Sequence, residues 1–509
     1  MIVRTQRNVC LAALIAGSTL LSANSTQANA PILGDLDRAT RARNATIEMD
    51  YPAAHALLDD ADPSDSALAV EKAHLFIYEG NCDQAVAILS RPDLVNRPES
   101  QQLADVARGC ARSMAGTLTV EEQGVRIRLQ DDDDRALVPL LVDTALRART
   151  MLAKELGVEL PLPVRVDLVR DQFALAAMTG LPEQAARTTG TVAVAKWGRV
   201  TMLSPRATSG NYAWLDTLVH EMTHLALSRG TRDKAPLWLQ EGVAKRQQTR
   251  WRDAEPLDDF PPDDAVAKIG MERGLGVELD RIGPSIAMLP SAERASVAYA
   301  EVASFIRYWA REAGDEALPQ LVVRLKDARE PDDVGRAISA VSAADFTAWV
   351  SRWKTHLTSV PTNIPADLEP GAKPTFAADA ARRVRLGTLL QNRNHAKAAA
   401  IERTKAHTVA PFDANVRCAL AESLVAMGDK PKAAALVDKI DEVHYRVGRW
   451  HSLHALLFPD APDVERQFQM GISLDPMEPL VACEEKSAPE LPKDPLRAAI
   501  CEMARRVPH

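Results

Sequence analysis

Hydrophobic positions along the chain change their period twice. From about residue 40 to residue 115 they recur at helical spacing, one segment after another. Between about 116 and 360, period-two alternation enters: Val125, Ile127 and Leu129 in GVRIRLQ, and Val164, Val166 and Leu168 in PVRVDLV, predict two strands. ALVPLLVDTALRARTMLAKELG between them carries a helical pattern, and TVAVAKWGRVTMLSP, residues 191–205, predicts a hairpin. Strand, helix, strand, helix, hairpin and then two long helices suit a mixed sheet packed on helices. Beyond 360 the helical spacing returns.

The two helical regions share a theme. In VEKAHLFIYEGNCDQAVAILSRP, Ala73, Phe76, Gly80, Ala85 and Leu89 fall at offsets that resemble a tetratricopeptide repeat, with Pro92 near its end. RLGTLLQNRNHAKAAAIERTKAHTVAP and CALAESLVAMGDKPKAAALVDKI align with Ala398 on Ala433 and Leu386 on Ala421, with Gly428 at a turn. Stacked helical pairs of this kind bind proteins or peptides on a concave face, or serve as a structural cap on a neighbouring domain.

Asp131 to Asp134 read as a solvated loop favouring the N-terminus of the next helix, with calcium ligation as the alternative. EPLDDFPPDDA, residues 255–265, reads as a surface loop.

Composition adds the compartment. Arg4 and Arg7 precede the apolar run CLAALIAGSTLL and a polar stretch ending Ala28-Asn29-Ala30, the pattern of a secretory signal peptide, with an uncleaved membrane anchor as the other reading. Cleavage after Ala30 places Pro31 awkwardly, and cleavage after Ala23 is the other site. Losing Arg4 and Arg7 moves the net charge from −8 to −10, which disfavours a nucleic-acid partner. The expected location is periplasmic or secreted, with no stable membrane span. Outside the cytoplasm disulfides persist, and proximity pairs Cys82 with Cys110 and Cys483 with Cys501, leaving Cys418 as a thiol.

The candidate chemistry lies in LVHEMTHLAL, residues 218–227. On a helix, Leu215, Leu218, Val219, Met222 and Leu225 form the core side, with Gly230 as the natural end. His220 and His224 stand one turn apart and offer two imidazoles to one tetrahedral zinc, with Glu221 turned about 100° from His220 to face a water. With eleven histidines in the chain, a chance HExxH has odds on the order of one or two in a hundred, so a third ligand decides the matter. APLWLQEGVAKR supplies one: Pro236 suits a first helical turn, Glu241 follows His224 by seventeen residues, and Gly242 beside it fits a close approach of this helix to the histidine helix.

HEMTH followed by PLWLQEG resembles the gluzincin metallopeptidases, most closely the bacterial peptidase MA-like group, whose HExxH helix is followed by a helix reading P-x-W-L-x-E-G. The likeness extends from GRVTMLSP to AYAEVASFIRYWAREAG and covers most of residues 116–330. It implies an α+β zincin-like metallopeptidase domain at 116–360, flanked by all-α tetratricopeptide-like regions at 31–115 and 361–509, after a signal peptide at 1–30.

It also implies one zinc ion on His220, His224 and Glu241, with Glu221 as general base on a zinc-bound water. Tyr299, fifty-eight residues past Glu241, takes the place of an oxyanion-stabilising tyrosine, with core packing as the other reading. Asp216 is a candidate partner for a ligand histidine. The aminopeptidase branch carries a Gly-x-Met-Glu-Asn segment before this helix. LSPRATSGNYAWLDT has no glutamate, so the expected activity is endopeptidase cleavage of a peptide or protein substrate. The alternative from another class is a helical-repeat scaffold that binds a protein partner and carries a structural or inactive zinc centre.

Overall fold

The computed structural model describes residues 29–506 apart from Pro63 and residues 185–190, 209–211, 253–260, 283–285, 287–288, 330–332, 366–367, 371–373, 439–446, 477–482 and 484–494. Of the expected signal peptide, residues 1–28 lie outside this set, and Asn29 and Ala30 already belong to the first helix. Residues 255–260 of the expected surface loop also lie outside it.

In chain order the N-terminal arm comprises α1 (Asn29–Ile47), α2 (Tyr51–Leu58), α3 (Ser66–Glu79), α4 (Cys82–Leu89) and α5 (Pro98–Met114). The sheet region follows with β1 (Leu118–Glu122), β2 (Val125–Leu129), α6 (Val138–Leu156), β3 (Val164–Val169), α7 (Gln172–Thr179), β4 (Ala193–Lys196) and β5 (Arg199–Leu203). Helices then dominate: α8 (Trp214–Thr231), α9 (Leu237–Gln247), α10 (Asp263–Glu272), α11 (Ala292–Ala313), α12 (Ala317–Lys326), α13 (Asp333–Ser342) and α14 (Phe346–Ser359). The C-terminal arm holds α15 (Pro374–Asn392), α16 (Ala396–Val409), α17 (Ala414–Ala426), α18 (Lys430–Val437), α19 (Gly448–Leu457), α20 (Val464–Leu474) and α21 (Pro495–Arg506). Among the described residues no helix is long and apolar enough to cross a membrane.

The strands form one mixed sheet in the order β1-β2-β3-β5-β4, with β2, β3 and β5 parallel and antiparallel strands at both edges. β1 adds a strand to those the alternation predicts. Its Leu118 and Val120 are only half-buried and Thr119, Glu121 and Glu122 are exposed, so LTVEE carries little apolar signal. One face of the sheet, with Val125, Ile127, Leu129, Val164, Val166, Leu168, Val200 and Met202, joins α6 and α8 in the central core.

The other face is charged, and it docks the N-terminal arm. Asp167 on β3 accepts both arms of the Arg128 guanidinium at 2.6 Å and pairs with Arg199 at 3.0 Å. Asp167 and Arg199 are each about 1% exposed. The same arginines reach the C-terminal end of α3: Arg199 donates to the Ile77 carbonyl, Arg165 to Tyr78 at 2.7 Å and Arg128 to Gly80 at 3.4 Å. Terminal helix carbonyls have no partners of their own and carry the negative end of the helix dipole, so cations there satisfy both needs.

Four helix turns share one backbone design. Met49, Gly80, Asn394 and Gly428 are left-handed, with φ of 54°, 83°, 63° and 81°. The next residue reaches back across the turn: Asp50 to Ala45 (2.8 Å), Asn81 to Phe76 (2.8 Å), His395 to Leu390 (2.9 Å) and Asp429 to Leu424 (2.8 Å). Seven residues before each left-handed position stands Ala42, Ala73, Gly387 or Ala421, and five after it Ala54, Ala85, Ala399 or Ala433. All of these alanines are fully buried, because small residues let the paired helices approach.

The chain therefore has helical-repeat character at both ends, and the alignment of Ala398 with Ala433 is one residue out. Ala399 and Gly387 occupy the equivalent places, Leu386 is 44% exposed, and the repeat length is thirty-four residues.

Asp131 to Asp134 are not simply a solvated loop. Arg206 pairs with Asp131, Asp133 and Asp134, and Asp134 is 1% exposed and accepts the Ser204 hydroxyl at 2.8 Å. Disulfides join Cys82 to Cys110 and Cys483 to Cys501, while Cys418 is a buried thiol. The end of the chain returns to the centre: Ile472, Cys483, Ile500, Cys501 and Met503 belong to the same core as the sheet.

Replacing Asp167 by Ala strands Arg128 and Arg199 as buried, uncompensated cations, which costs about 3–5 kcal/mol. Urea unfolding checks this; a loss below about 1 kcal/mol would mean that the α3 carbonyls alone satisfy the arginines.

Candidate metal centre

Two consecutive helices build the site. α8 buries Leu215, Leu218, Val219, Met222, Leu225 and Ala226 in the core. This packing leaves His220 and His224 on a more accessible side, with side chains 15% and 14% exposed. The helix does not end at Gly230. It continues to Thr231, and Arg232 takes the left-handed closing position with φ of 53°. Gly230 is small for a different reason: a Cβ there would stand 2.6 Å from Val322 and 2.7 Å from Val158.

α9 starts at Leu237 with Pro236 as its cap. Trp238, 4% exposed, packs against Phe305 and Phe346 at ring-centre distances of 5.8 and 5.1 Å, which seats α9 on α11 and α14. The close approach that Gly242 permits is to α11 and not to the histidine helix: a Cβ would lie 2.5 Å from Ile306 Cγ1 and 2.6 Å from the Val302 carbonyl oxygen.

This brings Glu241 to the histidine pair. The two Nε2 atoms are 3.2 Å apart, and Glu241 Oε2 lies 3.4 Å from His220 Nε2 and 3.7 Å from His224 Nε2. Among the described residues, these three form the one group whose arrangement would hold a metal ion. Three donors bound tetrahedrally at ~2.0–2.1 Å would stand about 3.3–3.4 Å from each other. Glu241 Oε2 is buried and makes no hydrogen bond within the described residues. Two imidazole nitrogens and a carboxylate oxygen turned toward one point, with that oxygen otherwise unserved, fit a cation at the centre.

Burial acts to raise the Glu241 carboxyl, but the facing His224 and His220, with Lys245 behind, outweigh it and hold it below its ordinary value. Glu221, next to His220 yet outside the triangle, is 8% exposed and accepts the Ala195 amide at 2.6 Å. Burial first, and then the charge of Glu241, push its carboxyl up to about 7, against the opposing effects of His224 and that amide. Tyr299 on α11 feels both carboxylates: burial, Glu241 and Glu221 all push its hydroxyl above the usual range. Asp216 accepts from Trp251 Nε1 at 2.9 Å and from the Arg252 guanidinium, anchoring the start of α8.

β4 borders the site, and its backbone faces two ways. The two-residue turn Trp197-Gly198 pairs Lys196 with Arg199, and Leu203 N–H donates to Val192 at 2.8 Å. By antiparallel alternation Val194 also faces β5, while the backbone groups of Ala193 and Ala195 point to the open edge. Sequence reasoning found the hairpin but not the Ala195 amide on Glu221, because no side chain marks it.

No family model matches this chain, and no curated protein matches it. Among solved structures it aligns with the APC/C hetero-tetramer Cut9-Hcn1 at 12% identity, over 89% of this chain and 76% of that one, with a TM-score of 0.19.

Gly242→Ala gains about 1 kcal/mol of helix propensity yet overpacks the contact with Val302 and Ile306, so net destabilisation of about 1–3 kcal/mol is expected. Thermal unfolding measures it, and a stabilised variant would sink the close-approach account.

Proposed function

We propose that the chain is an exported zinc-dependent metallopeptidase of endopeptidase type, in which His220, His224 and Glu241 hold one zinc ion. The observation that carries this reading is the donor triangle, with edges of 3.2, 3.4 and 3.7 Å and a buried carboxylate oxygen left without a hydrogen bond. When bound, zinc would supply Lewis acidity, polarising a scissile carbonyl and lowering the pKa of a water.

This chain's own residues would do the rest. Glu221, beside the triangle but not part of it, takes a proton from the attacking water and returns it to the leaving amine nitrogen. The Tyr299 hydroxyl keeps its proton at ordinary pH and can donate to an oxygen that gathers negative charge. The open edge of β4 offers the backbone groups of Ala193 and the carbonyl of Ala195 to an extended peptide, the Ala195 N–H being engaged by Glu221, and a sheet edge usually receives a peptide in this way. LSPRATSGNYAWLDT lacks a glutamate to hold a free amine, which favours internal cleavage. The apolar leader and two disulfides suit an oxidising compartment outside the cytoplasm.

The repeated helix turns support a second reading, a protein-binding scaffold whose zinc centre is structural. Glu221 separates the two, because a structural site does not need it. The purified mature protein is expected to hold about one zinc. His224→Ala and Glu241→Ala should lose the ion, whereas Glu221→Gln should keep it and cleave a quenched fluorogenic peptide library about 100-fold more slowly or worse. Zinc retained by a wild-type protein that cleaves nothing in the library would favour the scaffold.

A further inference from the structure

Trp197 adopts a conformation that its side chain makes unfavourable. It occupies the first central position of the β4–β5 turn with φ of 58°, followed by Gly198 at 65°. Such two-residue turns prefer Asn, Asp or Gly there, and a bulky residue is held left-handed only where its surroundings compel it.

Here the surroundings are the N-terminal arm. The Trp197 ring meets His74 edge-on at 5.5 Å and Tyr78 at 6.1 Å, both on α3. Gly198 is pressed against the same surface, with room for no Cβ: it would stand 2.7 Å from both the Tyr51 hydroxyl and the Tyr78 ring. The Lys196 ammonium lies over the Trp197 ring at 4.8 Å.

Two residues before Trp197, the Ala195 amide holds Glu221. β4 is only four residues long, an edge strand paired on one side. Its position is therefore set by β5, by the packing of Val194 against the cluster of Leu175 and Met178, by Glu221 and by the seat of Trp197 on the arm. That arm cannot drift independently, because Arg128, Arg165 and Arg199 bind the end of α3 to the sheet.

We propose that Trp197 is a positioning residue: seated on His74 and Tyr78, it fixes β4 so that the Ala195 amide orients Glu221 and the open edge stands ready for a peptide. The N-terminal arm then belongs to the working site, and a partner protein that shifts α3 would change its activity. The catalytic part of this rests on the peptidase reading; the mechanical link from arm to Glu221 does not.

The test uses the full mature chain. Trp197→Ala and His74→Ala are each compared with wild type for hydrogen exchange at the Ala195 amide, zinc content and kcat/KM on the quenched peptide library. Both variants should speed exchange of that amide, keep the zinc, and lower kcat/KM roughly tenfold, with Trp197→Phe restoring most of the loss. Unchanged exchange at Ala195 in both variants would overturn the link, as would exchange rising equally throughout the arm, which signifies general loosening. If wild type cleaves nothing, the peptidase reading fails on that result while the exchange comparison still decides the link.

Discussion

The structure depends on a single carboxylate set among arginines. Asp167 lies on the face of the sheet that a two-layer fold would leave to water but the N-terminal arm covers, and it makes the adjacent Arg128 and Arg199 tolerable in a nearly dry place. Those guanidinium groups, with Arg165, then find the carbonyls that end α3. Apolar packing would have allowed the arm many similar seats. Charged groups aimed at particular carbonyls allow one, because an arginine buried without its partner is far more costly than a misplaced methyl group.

From that seat the site follows. The sheet's apolar face carries α8, and the residues left on the other side of α8 are the ones that face Glu241. Trp238 and Gly242 seat α9 on α11 and α14, in the place from which its carboxylate completes the triangle: the one packs against Phe305 and Phe346, and the other leaves room for Val302 and Ile306. The donor set is thus a by-product of packing that either helix would need anyway, with chemistry placed where the core leaves room.

The sequence made part of this legible. That HEMTH and PLWLQEG come together could be read because a metal site would demand particular side chains at particular spacings, and the two main strands because period-two apolar alternation is a strong signal. What escaped was carried by backbone or by context. Arg128, Arg165 and Arg199 alternate with apolar residues as they would on a solvated face, so nothing in the pattern says that they are buried. Met49 and Asn394 hide two of the four helix turns, since glycine is the residue that normally advertises a left-handed position. Gly230 advertised an end that the helix does not have, its missing side chain serving Val322 and Val158 instead. Asp134 sits in a run of charges that looks wet, yet it is buried, paired with Arg206 and hydrogen-bonded by Ser204 from far along the chain.

α8 is held at both ends by distant parts of the polypeptide. At its close, Arg232 pairs with Glu48 from the first helix turn; at its start, Asp216 is bonded by Arg252, which in turn donates to Ser473. Synthesis runs in one direction, so Glu48 is waiting when HEMTH emerges, but Ser473 does not yet exist. The last brace on the histidine helix can therefore close only after residue 473 has been made, and a chain cut short before α20 would contain His220, His224 and Glu241 without the contact that steadies their helix.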